Sequence, residues 1–109
     1  MTFRANTPRA RDRLGVPPES VDAFCRKWRI HELSLFGSAL RDDFGAASDV
    51  DLLVVFEPEA PWDLWDITTM EQELAELFGR RVDLVEKRAL KNPFRRYEIL
   101  TTRQIVYAA

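Results

Sequence analysis

The chain has 109 residues, and 46% of them are hydrophobic, which is enough for one compact core and excludes disorder over most of the length. No apolar run approaches the roughly 20 residues that cross a bilayer. The single cysteine and single histidine exclude an internal disulfide and a multi-histidine metal site.

The net charge of −2 conceals an acidic block, because residues 42–79 hold eleven Asp or Glu and no Lys or Arg. Since this block repels phosphates, we expect no direct contact with nucleic acid. The lack of a membrane-spanning run and the single cysteine lead us to expect a soluble cytoplasmic protein without membrane contact.

The apolar pattern divides the chain into alternating helices and strands. Residues 1–15 lack apolar periodicity, and we interpret them as a flexible N-terminal arm before one domain of residues 16–109. The pattern predicts helices at 17–29, 62–78 and 93–101, a helical turn at 37–43, and strands at 33–36, 50–56, 81–86 and 104–107. This order is typical of an α/β or α+β domain with one layer of sheet and helices packed on it.

Two aspartates lie at the start of the most apolar predicted strand. Side chains alternate along a strand, so Asp49 and Asp51 emerge on the same face. Two carboxylates about 4 Å apart repel by about 4 kcal/mol at an effective dielectric constant of ~20. Bound Mg²⁺ removes this penalty, because it prefers carboxylate and phosphate oxygens as ligands. The alternative interpretation is that Asp49 caps a turn and Asp51 faces solvent.

A glycine and a serine follow the preceding predicted strand. Gly37 allows a ligand to approach the backbone, and the turn after it presents free N–H groups, to which Ser38 adds a hydroxyl donor. A Gly-Ser pair alone is most often an ordinary turn. Combined with Asp49 and Asp51, it predicts a nucleoside triphosphate site. Arg41 is a candidate phosphate contact, and an ion pair with a neighbouring aspartate is its alternative role.

Gly37 and Ser38, then ten residues, then Asp-x-Asp resemble the signature of the DNA polymerase β type of nucleotidyltransferase. The stretches LFGSALRDDFGAASDVDLLVVFEP and RRVDLVEKRALKNPFRRYEIL are similar to the minimal nucleotidyltransferases, or MNT domains. The resemblance covers about residues 16–109 and departs at Arg41-Asp42, where many relatives carry Arg-Gly. It implies a polymerase β-like fold, a mixed sheet flanked by helices.

The same resemblance implies the composition of the active site. A third carboxylate is expected on the following central strand, where Asp83 stands; its alternative is an exposed strand acid. Asp49, Asp51 and Asp83 would then be the catalytic residues and the ligands of Mg²⁺. Gly37, Ser38 and Arg41 would bind ATP, the source of an AMP group transferred to a hydroxyl.

The resemblance also implies a partner, because MNT domains are commonly encoded beside HEPN-domain toxins. The expected acceptor is a tyrosine of a cognate HEPN toxin, which AMP would silence, so that this chain acts as the antitoxin of a type VII-like pair. We expect a hetero-oligomer, with at least weak self-association of the chain alone. One alternative is an antitoxin that binds and occludes the toxin with an idle catalytic site. A second is a small-molecule nucleotidyltransferase that modifies an antibiotic hydroxyl.

Four further residues have less specific expectations. Cys25 lies on an apolar helix stripe and is expected in the core, and His31 is expected at the surface. Trp62 and Trp65 lie within the acidic block, and packing in the core is one expectation for them. If they are exposed, they would be suitable anchors for a partner protein.

Overall fold

A computed structural model of the chain describes residues 15–40 and 48–109. Its helices are α1 (Pro18–Lys27), α2 (Leu64–Phe78) and α3 (Pro93–Thr102), and its strands are β1 (Ile30–Phe36), β2 (Val50–Phe56), β3 (Val82–Glu86) and β4 (Gln104–Ala108). Two short 3₁₀ helices, Gly37–Leu40 and Lys87–Ala89, follow β1 and β3. The predicted turn is therefore present at 37–40, while its residues 41–43, and residues 1–14 of the predicted arm, lie outside the described part. The division into an arm and a domain stays a prediction.

The four strands form one sheet in the order β3-β2-β1-β4. β1 is antiparallel to both β2 and β4, whereas β2 and β3 are parallel. The sheet is therefore mixed, and the α+β prediction with helices flanking the sheet is confirmed. One detail was wrong: β3 lies at the edge of the sheet in the described residues and not at its centre.

Helices cover both faces of the sheet. On one face, α1 and α2 pack over alternate residues of β2, namely Val50, Leu52 and Val54, in the larger of two core clusters. On the other face, α3 contributes Ile99 to a smaller cluster with Phe36, Leu53 and Leu90. Asp51 has the same parity as Leu53, so it lies on the α3 face. Among the described residues, α3 is the helix on that face, and the candidate site lies beside it.

Two element boundaries differ from the sequence prediction. β1 begins at Ile30 and not at residue 33, because a shift of register between Ile30 and Glu32 interrupts the alternation that marks a strand. α2 begins at Leu64 and not at residue 62, because Asp63 accepts a hydrogen bond from the Asp66 N–H while the Asp66 side chain accepts from the Asp63 N–H. Gly79 ends this helix with φ 69°, as predicted for its C-terminal cap.

Trp28 connects α1 to α2. Its Nε1–H donates to Glu73 Oε1 at 2.9 Å, and Lys27 Nζ approaches the same carboxylate to 2.9 Å. The Trp62 Nε1–H donates to the Trp28 carbonyl at 2.7 Å, and the two indole rings meet edge to face with centroids 5.0 Å apart. Trp62 therefore packs against the core, whereas Trp65 is 80% exposed. The core expectation is confirmed for the first tryptophan only.

The edge strand β3 is protected by a side chain of α2. The backbone N–H of Leu84 donates to Glu71 Oε2 at 2.8 Å, at the side of β3 that faces away from β2. This contact fixes α2 along the edge of the sheet, where it also packs Leu74 and Phe78 into the core.

Candidate active site

The carboxylate of Asp51 lies against the backbone of Gly37. Gly37 follows β1 with φ 70°, a left-handed conformation that favours glycine. A Cβ at this position would lie 2.6 Å from Asp51 Oδ2, which is closer than real atoms approach. The Ser38 backbone N–H donates to the same carboxylate. Glycine at position 37 thus avoids backbone strain and leaves the Asp51 carboxylate in its place.

The hydroxyl of Ser38 bonds to the chain segment that carries the aspartates. Ser38 Oγ donates to the Asp49 carbonyl at 3.1 Å. From the sequence, this hydroxyl is expected to donate to a phosphate, but in the structure it joins the 3₁₀ turn after β1 to the start of β2. The turn and the aspartate pair are therefore held together by two bonds from one residue.

Asp83 stands beside Asp51 on the neighbouring strand. In the parallel β2–β3 pair, Asp51 and Asp83 share the same register, and side chains in register point to the same face of a sheet. Val82 and Leu84 point to the opposite face and are buried, as their alternation predicted. The expected placement of Asp83 next to the aspartate pair is confirmed, although its catalytic role stays a prediction.

Asp49 is more exposed to solvent than Asp51. Its Oδ1 lies 3.5 Å from Arg81 Nε, and both side chains are open to solvent, so this ion pair contributes little to stability. Within residues 15–40 and 48–109, no three Asp, Glu, His or Cys side chains converge closely enough to form a finished metal site. Asp51 and Asp83 are in register, with Asp49 two residues before Asp51, and the role of all three as metal ligands stays a prediction.

Electrostatics show that the three carboxylates nevertheless suit a cation. Burial raises the pKa of Asp51 above its ordinary value, and the negative charges of Asp83 and Asp49 raise it further. Arg95 and the Ser38 N–H act in the opposite direction. A divalent cation bound to these oxygens would remove the repulsion that disfavours ionised Asp51. Carboxylate oxygens are ligands that a divalent cation prefers; that this cation is Mg²⁺ stays a prediction.

A cavity of about 480 Å³ opens next to Asp51. Gly37, Ser38 and Asp51 line one side, and α3 lines the other with Arg95, Glu98, Ile99 and Thr102. Among the described residues of this lining, Arg95 is the cationic one, and the sequence pattern did not predict it. Its spacing to Glu98 and Thr102 marks one face of α3, but only the fold shows which face meets the cavity. Arg41, the predicted phosphate contact, lies outside the described residues.

The two remaining predicted residues lie away from this cavity. Cys25 is fully buried, and burial, followed by the charge of Asp22, raises the pKa of its thiol to about 12 despite the nearby Arg26. His31 is exposed at the start of β1. Both expectations are confirmed. In the described residues, no helix is both long and apolar enough to cross a membrane.

A second cavity, of about 360 Å³, lies at the opposite end of β2. It is lined by Val54–Ala60 with Trp62 and, on the other side, by Glu86, Lys87, Arg88 and Arg96. Among the residues that the structure describes, the lining of this cavity includes none of the predicted site residues.

Comparison with known proteins agrees with this geometry. Residues 18–106 match the family described as "Nucleotidyltransferase domain". The protein adenylyltransferase MntA of Thermococcus cleftensis is 38% identical over 81 residues, which are 74% of this chain and 77% of that protein.

Solved structures show the same fold. A minimal nucleotidyltransferase superposes with a TM-score of 0.65 at 33% identity and covers 93% of this chain and 94% of its own. A toxin–antitoxin crystal structure with AMP-PNP superposes with a TM-score of 0.69 at 20% identity, over 86% of this chain and 75% of that one. At this low identity, the second likeness concerns the fold alone.

Proposed function

Because this chain belongs to the nucleotidyltransferase domain family, we propose that it transfers AMP from ATP to a hydroxyl of another protein. The observation that carries this proposal is the arrangement around Asp51. Its carboxylate lies against Gly37, receives the Ser38 N–H, stands in register with Asp83 and borders a cavity of about 480 Å³. An ordinary turn followed by a solvent-facing acid would need none of these constraints.

The two sides of the cavity offer different groups to the phosphates of the nucleotide. On one side, Gly37 and Ser38 of the Gly37–Leu40 turn line the cavity next to Asp51, where the phosphate oxygens would lie. Across the cavity, the guanidinium of Arg95 provides charge-assisted hydrogen bonds to the same oxygens. Asp49, Asp51 and Asp83 would hold Mg²⁺, which when bound neutralises the charge of the phosphates and of the pyrophosphate leaving group.

The reaction requires one proton to move. The acceptor oxygen forms a bond to the α-phosphorus of ATP, the bond between the α-phosphorus and its bridging oxygen to the β-phosphate breaks, and pyrophosphate leaves. Asp83 is exposed next to Asp51, so it can accept the proton of the acceptor hydroxyl. Transfer of this kind depends mainly on positioning and neutralisation of charge, for which this short set of residues is sufficient.

The proposed acceptor is a tyrosine of a HEPN-type toxin, which AMP would inactivate. Support comes from the relative named protein adenylyltransferase and from the toxin–antitoxin structure that shares this fold and contains AMP-PNP. This chain would then be the antitoxin, and it would form a hetero-oligomer with the toxin. The antibiotic-modifying alternative has no corresponding support.

One observation favours a second candidate, an antitoxin that acts by binding alone. Asp49 pairs with Arg81, and the three carboxylates do not form a finished metal site in the described residues. If binding of Mg-ATP does not draw them together, the catalytic site is idle and only occlusion remains.

The two candidates differ in what Asp51→Asn changes. This change removes a proposed metal ligand, so AMP transfer should fall by at least about a hundredfold. The asparagine keeps an oxygen that can accept the Ser38 N–H, so the local structure should be preserved. It also removes repulsion from Asp83 and Asp49, so the melting temperature without ligand should not fall. The measurement is mass spectrometry of the product of the adjacent reading frame after incubation with Mg-ATP, with growth rescue measured in parallel. If the wild type rescues growth without placing AMP on the partner, and Asp51→Asn rescues growth equally well, the chain acts by occlusion.

A further inference from the structure

Two aromatic side chains on α3 are left open to solvent. Phe94 is 83% exposed and Tyr97 is 72% exposed. Isolated exposed apolar residues are common, but two large rings one helical turn apart form a continuous apolar surface. We call Phe94 and Tyr97 the α3 aromatic pair.

Helix geometry places the aromatic pair beside the face of α3 that lines the cavity of the candidate site. Successive residues of an α-helix are rotated by about 100°, so Phe94 and Tyr97 lie about 60° apart on the outer side of α3. Glu98, which lines the cavity, lies about 40° from Phe94 by the same geometry. A molecule seated on the pair would therefore reach over Glu98 toward Asp51 without leaving α3.

We propose that the α3 aromatic pair is the surface on which the acceptor protein docks so that its hydroxyl enters the cavity; this inference rests on the proposed AMP transfer. The committed occupant is a protein segment with apolar side chains that cover Phe94 and Tyr97. Large aromatic residues at the centre of an interface commonly carry most of its binding energy, and they lose little conformational freedom on binding.

The charges around the pair complement an acidic segment. Lys91 and Arg95 are exposed on either side of Phe94 in the sequence, and Glu98 is the one acidic side chain of α3. An acidic group of the acceptor would meet Lys91 first, which leaves Arg95 for the nucleotide phosphates. Single-stranded nucleic acid also stacks on aromatic rings, but it needs a continuous basic groove along its backbone, and Glu98 interrupts the basic residues of α3.

The chain supplies a matched control at the other end of the sheet. Leu64 and Trp65 are 82% and 80% exposed in the first turn of α2, so they form an apolar pair of similar size. Trp62, just before them, bonds to the carbonyl of Trp28, and Ile30 at that end of β1 pairs with Phe56 at the end of β2. Asp49 and Asp51 lie at the opposite end of β2. The control pair is therefore apolar and exposed but remote from the cavity. The docking proposal thus places the partner anchor on α3, in preference to Trp65, which the sequence had indicated as an anchor if exposed.

The experiment compares two double variants of the full chain, Phe94→Ala/Tyr97→Ala and Leu64→Ala/Trp65→Ala. Affinity for the purified product of the adjacent reading frame is measured by calorimetry, AMP transfer by mass spectrometry, and Mg-ATP binding by thermal shift. We expect the α3 variant to lose at least about tenfold in affinity and in transfer, with an unchanged ATP shift. The α2 variant should change each quantity by less than about threefold.

Each other outcome overturns the docking proposal. Equal losses in both variants, or no loss in the α3 variant, would show that the α3 pair has no special role. A variant that keeps its partner affinity but no longer binds a 20-nucleotide single-stranded RNA would assign the pair to nucleic acid. If the wild type self-associates and the only effect of the α3 variant is to make it monomeric, the aromatic pair binds a second copy of this chain. Absence of AMP transfer by the wild type would contradict the proposed function instead, because partner affinity is measured separately.

Discussion

Asp83 stands directly beside Asp51 across the parallel β2–β3 pair, and both side chains point toward the face that carries α3. Like charges at neighbouring positions of a sheet are destabilising unless another group compensates for them. Here the repulsion is visible as the raised pKa of Asp51, to which burial contributes most and the charge of Asp83 second. The repulsion between these carboxylates in the free protein is therefore explained if they bind a cation during function.

The first prediction concerns the contact between Gly37 and Asp51. Gly37→Ala should lower stability by about 1 kcal/mol through its positive φ, and should also abolish the thermal shift with Mg-ATP, because the added Cβ displaces the Asp51 carboxylate. Gly79→Ala is the matched control, since Gly79 has φ 69° but nothing within 4 Å of an added Cβ. It should lose similar stability and keep the ATP shift. Full ATP binding by Gly37→Ala would show that the position of Asp51 is not critical.

The second prediction assigns the phosphate contact to Arg95. Arg95→Gln should raise the Kd for Mg-ATP about tenfold, because a charge-assisted hydrogen bond contributes about 1.5–3 kcal/mol. Arg88→Gln removes the same charge at the other end of β3, where Arg88 pairs with Glu86 at 3.3 Å, and should leave the Kd unchanged. Calorimetric titration of both variants gives the comparison. Equal effects of the two changes would indicate general charge attraction and not a contact.

The third prediction concerns the pH dependence of stability through Glu73. Partial burial opposes ionisation of Glu73, but the hydrogen bonds from Trp28 and Lys27 outweigh it and lower the pKa of the carboxyl. A lowered pKa gives stability that is present above the ordinary glutamate pKa of about 4.3 and is lost as the pH falls through the lowered value. Glu73→Gln should therefore cost at most about 1 kcal/mol at pH 7 and nothing below that window.

Urea unfolding from pH 3 to 8 measures this difference. Glu76→Gln is the control, because Glu76 is exposed on the same helix, one turn away from the Trp28 contact. A pH-independent difference between wild type and Glu73→Gln would contradict the assignment to the carboxylate charge.

The fourth prediction concerns the single thiol. Cys25 is fully buried and the pKa of its thiol is about 12, so almost no thiolate exists at pH 8. Iodoacetamide should therefore leave the native protein unmodified for hours, whereas the urea-unfolded chain should react within minutes. Intact-mass spectrometry separates the two cases. Fast alkylation of the native protein would show that α1 opens readily.

The sequence predicted those features that depend on local alternation and spacing. The face of the sheet to which Asp83 points follows from the alternation of side chains along β3, and the end of α2 follows from Gly79. The first three residues of β1, 30–32, could not be predicted as strand, because the register shift after Ile30 breaks the alternation. Nor could the bond from Trp28 to Glu73, which joins residues 45 positions apart.

The candidate site divides in the same way. Its aspartates and its glycine are recognisable because their spacing is fixed within two neighbouring segments. Arg95 belongs to a helix that reaches the cavity only through the packing of Ile99 against Leu53 and Phe36. A residue whose role depends on how a distant helix crosses the sheet gives no signal in a local pattern.

The contact between Glu71 and the backbone of Leu84 has a consequence for the behaviour of the protein in a crowded cell. An edge strand with unoccupied N–H groups is a template on which the strand of another molecule can add, and so a starting point for aggregation. By accepting the Leu84 N–H, Glu71 occupies one such donor in the middle of β3, and the charges of Asp83 and Glu86 further discourage an incoming strand. A helix side chain thus keeps these molecules apart while the neighbouring carboxylates remain accessible for chemistry.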